Sequence, residues 1–185
     1  MQLPEIKERK LYLYENVNSE SIKTLSEKVF QINDSDSEIT QLSSVLGFQY
    51  KPKPIQLFIN SDGGCVDTTF GFTDIIKLSS TPVYTIVTGK AFSAGLLILM
   101  SGHKRFAHKN SNLMLHQSSS WTDGKYQDIV EYVEEYKLEE QKLKDYILEN
   151  SSISYAKLEE VYTHKKDLYI TPEDALMLDI IDEIL

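Results

Sequence analysis

Asn60-Ser61-Asp62-Gly63-Gly64 closes an apolar run at 55–59 in a tight Gly-Gly turn. After a predicted helix and strand the chain reaches Ala91-Phe92-Ser93-Ala94-Gly95, a lone serine between small residues at the start of a helix. Strands that end in small-residue turns and lead into helices predict an α/β protein with largely parallel pairing. The two turns also carry chemistry. The backbone N–H groups of Gly64 and Ala94 are the pair expected to bind an oxyanion, with Ser93 beside them as nucleophile. Downstream, Leu113-Met114-Leu115-His116-Gln117 puts a histidine at the end of a strand, and Lys166-Asp167-Leu168 offers a carboxylate. A serine needs a base to take its proton, and the base needs a carboxylate to hold the right tautomer. The order Ser93, His116, Asp167 differs from His-Asp-Ser, Asp-His-Ser and Ser-Asp-His, which argues against the folds with those orders rather than against a triad. Taken one at a time, the bland readings are a helix N-cap for Ser93, a satisfied strand histidine for His116 and a loop or cap residue for Asp167.

Residues 11–14 read as a short strand. Asn18-Ser19 caps a helix running to about Ile32, with Ile22, Leu25, Val29 and Phe30 at helical spacing. The Asp/Ser stretch 33–38 reads as a loop, and 39–50 is ambiguous, since Leu42, Val45 and Leu46 fit one helical turn. Lys51-Pro52-Lys53-Pro54 forces extended chain before the strand at 55–59. The helix after the Gly-Gly turn runs to about Leu78, weakened by Gly71. Pro82 starts a strand at 83–88 rich in β-branched residues. The segment 93–100 is apolar nearly all round and reads as a buried helix. Short strands follow at 105–107 and 112–116. The longest amphipathic helix spans 124–150, with Ile129, Val133, Tyr136, Leu143 and Ile147 on one side. Thr171-Pro172-Glu173-Asp174 starts another helix, with a capping threonine and proline at its first position. The pattern is one domain over residues 1–185, with no internal repeat or linker.

Composition narrows the function. At 185 residues, 41% apolar and net charge −9, the chain has no Lys/Arg stripe interleaved with aromatics, so nucleic acid is not an expected partner. Its cations alternate with carboxylates, as across 134–144, in the manner of a solvated helix face. No apolar run approaches membrane-spanning length and the N-terminus lacks an apolar signal region, which predicts neither membrane insertion nor secretion. A single cysteine, Cys65, excludes an intrachain disulfide, suits a reducing compartment and reads as a small apolar filler beside the Gly-Gly turn. A cytoplasmic location is expected. The four histidines make no His-x-x-x-His pair, so no metal is expected, and no phosphate loop is present, so any ATP would be used by a partner. No cofactor is expected. Trp121 reads as core, interface or a substrate-side wall. Tyr126, Tyr132, Tyr136 and Tyr146 read as helix packing, and His103, His108 and His164 as surface. Gly89 and Gly95 read as sites of close packing.

These motifs resemble the proteolytic subunit of the Clp protease, ClpP. That family pairs a strand ending Asn-Ser-Pro-Gly-Gly with Ala-Ser-Met-Gly, a Met-Ile-His-Gln strand, and an Arg-Asp-X-Phe-Met-Ser-X-Glu-Glu-Ala tail ahead of Gly-Leu-Ile-Asp. Here the tail reads Lys166-Asp167-Leu168-Tyr169-Ile170-Thr171-Pro172-Glu173-Asp174-Ala175, ahead of Leu178-Asp179-Ile180-Ile181-Asp182. The resemblance runs from about Ile55 to Leu185, with a weaker match at 7–14. It implies a crotonase-like fold of repeated ββα units with a protruding helix–strand handle. It also implies Ser93 as nucleophile, His116 as base, Asp167 as its orienter, and the N–H groups of Gly64 and Ala94 as oxyanion donors. Seven-membered rings, usually stacked in pairs around a hydrolytic chamber, polypeptide substrates and a Clp-type ATPase unfoldase are implied partners. Asp62 stands where the family has proline, Ser118-Ser119-Ser120-Trp121 where it has Pro-X-Gly-Gly, and Lys165-Lys166 where it has Asp-Arg. The 33–54 connection is longer than usual. Only 1–6 precede Lys7-Glu8-Arg9, so the chain is expected to cleave short or unfolded peptides alone. An ATPase is expected to dock weakly, or through another surface such as 39–50. The other readings are a catalytically silent ring or scaffold subunit, a virus-encoded capsid-maturation protease acting in the host cytoplasm, and an acyl-CoA enzyme sharing the oxyanion hole.

Overall fold

Alternation of burial sets the first two strands. β1 (Lys10–Leu13) buries Leu11 and Leu13, and β2 (Ile55–Ser61) buries Ile55, Leu57, Ile59 and Ser61. Period-2 burial is what a strand with one covered face requires. Residues 7–185 are described by the computed structural model; the short N-terminal segment at 1–6 lies outside them. The remaining elements are α1 (Ser19–Val45), α2 (Val66–Leu78), β3 (Val83–Phe92), α3 (Ala94–Met100), β4 (Lys104–Ala107) and β5 (Asn112–Leu115), followed by α4 (Tyr126–Glu149), α5 (Tyr155–His164), β6 (Leu168–Ile170), α6 (Pro172–Met177) and β7 (Glu183–Ile184).

The sheet is a parallel row, β1-β2-β3-β4-β7, with a branch. The start of β3 pairs with β4, Tyr84 opposite Lys104 to Val87 opposite Ala107. Its end pairs with β5, Lys90 opposite Asn112 to Phe92 opposite Met114. β6 then adds to β5, the one antiparallel pairing among the described residues. β3 thus changes partner along its length, leaving β4 and joining β5. This is the α/β arrangement with largely parallel pairing that the sequence predicts. α1, α2 and α3 cover one face, where Leu11, Leu13, Ile55, Leu57, Ile59, Val83, Val87 and Leu96 to Leu99 form the core. The other face carries Tyr12 stacked on Phe58 and Tyr84 tilted against Phe106.

Several helices differ from the sequence reading. Asn18 caps α1 as expected, its side-chain oxygen accepting from the Glu20 and Ser21 N–H groups while Ser21 Oγ accepts from Asn18 N–H. The helix does not stop near Ile32, however, but runs through 33–38 to Val45. The polar residues that predicted a loop are satisfied in place. Asn33 Oδ1 accepts from Ser79 Oγ and Thr81 N–H, and the Asp36 carboxylate is buried among partners. The extra length of the 33–54 connection is therefore largely helix. β3 extends four residues past Thr88, and α5, which the sequence reading omitted, is capped by Ser154. α4 splits in two. Leu143, Tyr146 and Ile147 are buried, but Tyr126, Ile129, Val130 and Val133 are exposed, so the expected continuous apolar side is covered only near its end. Its first turns contribute no buried residue. No strand forms across 116–125.

Asp36 joins four parts of the chain. Arg9 Nη2 pairs with it at 2.5 Å and Arg9 Nη1 at 2.7 Å, while Thr81 Oγ1 donates at 2.6 Å and the Tyr50 hydroxyl at 3.0 Å. Arg9 Nη1 also donates to the Lys53 carbonyl. Burial opposes charge on Asp36, but the hydrogen bonds from Arg9, Thr81 and Tyr50 outweigh it and hold the carboxyl pKa below its ordinary value. Removing one partner of a buried pair strands the other. Asp36→Ala is expected to cost about 3 kcal/mol in urea unfolding. Because the folded pKa is lowered, the wild-type contribution is complete above the ordinary aspartate pKa and is lost as pH falls through the folded value. The gap between the two proteins should therefore close in strong acid, read as converging unfolding midpoints.

Candidate active site

Ser93 sits between the end of β3 and the start of α3 with φ 51° and ψ −120°, a conformation costing a non-glycine residue about 1–3 kcal/mol. Its N–H donates to the Met114 carbonyl at 2.9 Å, which anchors the turn to β5. The bland reading of Ser93 as a capping side chain fails, because its hydroxyl makes no capping bond. A strained turn of this kind holds a side chain up from the end of a strand, as in the nucleophile elbow of other hydrolases.

The Gly-Gly turn is pressed against this serine. A Cβ added to Gly63 (φ +99°) would lie 2.8 Å from Ser93 Cβ and 2.9 Å from Ala94 N. One added to Gly64 (φ +151°) would lie 2.1 Å from the Val17 carbonyl oxygen. Val17 holds the turn from the far side, donating to the Gly63 carbonyl at 2.8 Å and accepting from Cys65 N–H at 2.9 Å. Gly64 N–H is left without a partner among the described residues, as is Ala94 N–H at the first position of α3. The Ser61 hydroxyl accepts from Gly63 N–H and donates to the Glu15 carbonyl.

Strand register brings the other two candidates close. Leu115 lies opposite Leu168 in the antiparallel β5–β6 pair, so one further step sets His116 opposite Asp167. Phe92 lies opposite Met114, so one further step sets Ser93 beside Leu115, the residue before His116. His116 and Asp167 open into one cavity of about 580 Å³, shared with Ser118, Trp121, Tyr132, Tyr136 and Lys165. Ser93 does not line it. No hydrogen bond joins Ser93 to His116, or His116 to Asp167, among the described residues. The structure brings the three to adjacent strand ends but leaves the triad open.

The segment after His116 lies along α4 instead of forming the strand implied by the resemblance. Gln117 Nε2 donates to Glu140, the Tyr136 hydroxyl donates to the Ser118 carbonyl, and Ser120 meets the Tyr132 hydroxyl. Residues 132, 136 and 140 share one face of the helix at a spacing of four, a signal present in the sequence. Two of those tyrosines were read as helix packing; they hold the loop. Below them Lys144 is buried, pairing with Glu140 at 2.9 Å and Glu159 at 2.7 Å and lying over the Tyr162 ring. Burial disfavours its charge, but bonds to Glu159 and Glu140 outweigh that and raise its pKa. This network, which sequence reasoning missed, links the residue after His116 to α5 and hence to the segment carrying Asp167.

Two other expectations are corrected. Cys65 is exposed and precedes α2, accepting a hydrogen bond from Thr68 Oγ1, so it is no apolar filler. Trp121 is 80% exposed and lines the cavity, which removes it from the core. Among the described residues, no group of three or more His, Cys, Asp or Glu is placed to hold a metal ion, and no helix is long and apolar enough to cross a membrane.

A bent parallel sheet that presents a strained serine turn against a Gly-Gly turn, with histidine and aspartate strand ends alongside, defines an α/β protein of hydrolase type. The family model described as Clp protease matches residues 5–185, and the chain belongs to that family. It is a ClpP-like peptidase.

The glycines separate contact from conformational freedom. Gly63→Ala should destabilise by about 1–3 kcal/mol through overpacking, since the atoms it would meet include backbone. Gly71, with nothing near its added Cβ and an interior position in α2, is different. Gly71→Ala should stabilise by about 0.5–1 kcal/mol. Urea denaturation of the two variants beside wild type checks both signs.

Proposed function

We propose that the chain is a serine endopeptidase. Ser93 Oγ attacks the scissile carbonyl, His116 takes the serine proton and returns it to the leaving amine, and Asp167 holds the imidazole tautomer. The Gly64 and Ala94 N–H groups receive the oxyanion, and water activated through His116 then releases the acyl group. No metal or cofactor takes part. The observation that carries this reading is the contact between two turns: a serine in a strained conformation, its hydroxyl uncapped, against a glycine turn whose next N–H is unpaired. Strand register supports His116 and Asp167 as its partners.

Assembly belongs to the same proposal. The exposed apolar turns of α4 and the exposed Trp121 lie beside the segment that follows His116 and bonds to α4. A heptameric ring that covered α4 would bury this surface and draw His116 and Asp167 into bonding range. Paired rings would enclose a chamber reached by short or unfolded polypeptides in the cytoplasm. An ATPase unfoldase, the only user of ATP, would dock weakly or through 39–50, where Val45, Leu46 and Phe48 are exposed. The competing reading, a silent ring subunit, is favoured by one observation, the absence of Ser93–His116 and His116–Asp167 hydrogen bonds among the described residues.

Labelling with a fluorophosphonate separates the two readings, since a working triad is phosphonylated at Ser93 and a silent one is not. Ser93→Ala should abolish labelling and lower peptidase turnover by about 10⁴ or more, with His116→Ala of similar severity because the two act as one unit. Turnover in Ser93→Ala within tenfold of wild type would remove the assignment. Native mass spectrometry at micromolar concentration should give a heptamer or its double, and monomer alone would end the ring proposal.

A further inference from the structure

Two charged residues flank the contact between the glycine turn and the serine turn. Asp62 precedes Gly63, and Lys90 lies three residues before Ser93 on β3; Lys90 Nζ pairs with Asp62 Oδ1 at 2.5 Å. Lys90 Nζ also lies 5.9 Å from the centre of the ring of Phe92, the residue before Ser93. The Lys90 N–H donates to Asn60 Oδ1 at 3.2 Å. The pair therefore clamps the two backbone segments whose spacing decides where the Gly64 N–H sits relative to Ser93. Val17 and the Ser61 hydroxyl hold the glycines of this turn from its other sides, and the ion pair adds a side-chain tie from Asp62 to β3.

We infer that Asp62 and Lys90 are positioning residues that hold the oxyanion-binding turn against the Ser93 turn by their ion pair. This rests on the serine peptidase reading above. Neither residue needs to touch the substrate. The clamp acts on the step in which the carbonyl oxygen becomes an anion, and so on turnover rather than on peptide affinity. Both side chains are partly exposed, 37% for Lys90 and 60% for Asp62, so the clamp is modest and open to screening by salt.

The test uses the assembled protein, a fluorogenic peptide that wild type cleaves, and fluorophosphonate labelling of Ser93. Lys90→Met and Asp62→Asn should each lower kcat about three- to tenfold with KM within twofold of wild type. The exchanged double variant, Asp62→Lys with Lys90→Asp, should return kcat to within about threefold. Wild-type kcat should fall several-fold between low salt and 1 M salt, and that slope should vanish in the single variants. Thermal midpoints and ring mass are followed in parallel, because a merely structural pair would move these instead of kcat. Single variants that turn over at the wild-type rate overturn the inference. So does an exchanged variant as slow as the singles, or a loss carried wholly by KM. If wild-type Ser93 takes no fluorophosphonate, the peptidase reading fails and the clamp fails with it.

Discussion

Everything near the site depends on the bend of β3 at Gly89. Between Ile59 and Ser61 the β2–β3 register shifts: Ile59 faces Val87, but Ser61 faces Ala91. Asn60 alone stands against the surplus residues of β3. Its side-chain oxygen occupies the space beside Gly89, where an added Cβ would lie 2.6 Å from it, and accepts from Lys90 N–H. A side chain at 89 would drive Asn60 out of this place. The bulge bends the strand, as extra residues in one strand do, and lets one continuous segment leave β4 and join β5. Without that change of partner, Ser93 would not meet the Met114 carbonyl, and the ends of β5 and β6 would not lie beside it.

Features with local causes were legible from residues alone. Asn18 and Thr171 cap helices with bonds to the next residues, and both helix starts were read correctly. The Gly-Gly turn and the small residues around Ser93 were equally readable, because close backbone contact leaves few alternatives. The path of 33–45 was not. Its Ser and Asp residues favour turns when nothing else is near, and the partners that reverse the preference, Arg9, Tyr50 and Thr81, come from distant positions. α5 is a different kind of miss, since Ser154 followed by Leu158 and Val161 at helical spacing was a readable signal. For the candidate site, the residue types and their strand ends were legible, but the serine–tyrosine contacts along α4 and the pairing of Asp62 with Lys90 were not. Both depend on which surfaces face each other after folding.

α4 is built as two helices in one. Toward its end, Leu143, Tyr146 and Ile147 enter the core, and Tyr146 donates to the Leu97 carbonyl of α3. Burial raises the pKa of that hydroxyl and keeps it neutral. Toward its start the same helix shows apolar side chains to solvent and gives its polar hydroxyls to the 117–120 segment. One end is thus fixed to α2 and α3 and the other is available, and the buried Lys144 cluster sits at the junction. Movement of the outer turns would pass through Glu140 to Gln117, next to His116.

The long α1 also has a kinetic meaning. Parallel pairing of β1 with β2 cannot be made by a hairpin, so the two strands must find each other across the whole helix. Contacts so distant along the chain are slow to form because the connecting loop must first lose its freedom. α1 alters that search. Its turns form from neighbours, on the microsecond scale of helix formation, and carry Asp36 to a fixed distance along a rigid rod. Arg9, 27 residues away in sequence, then meets a carboxylate that already has a place. Tyr50 and Lys53 are drawn to the same point, which brings the extended chain before β2 alongside β1. The segment that read in part as a loop thus serves as the jig on which the first strand pair is assembled.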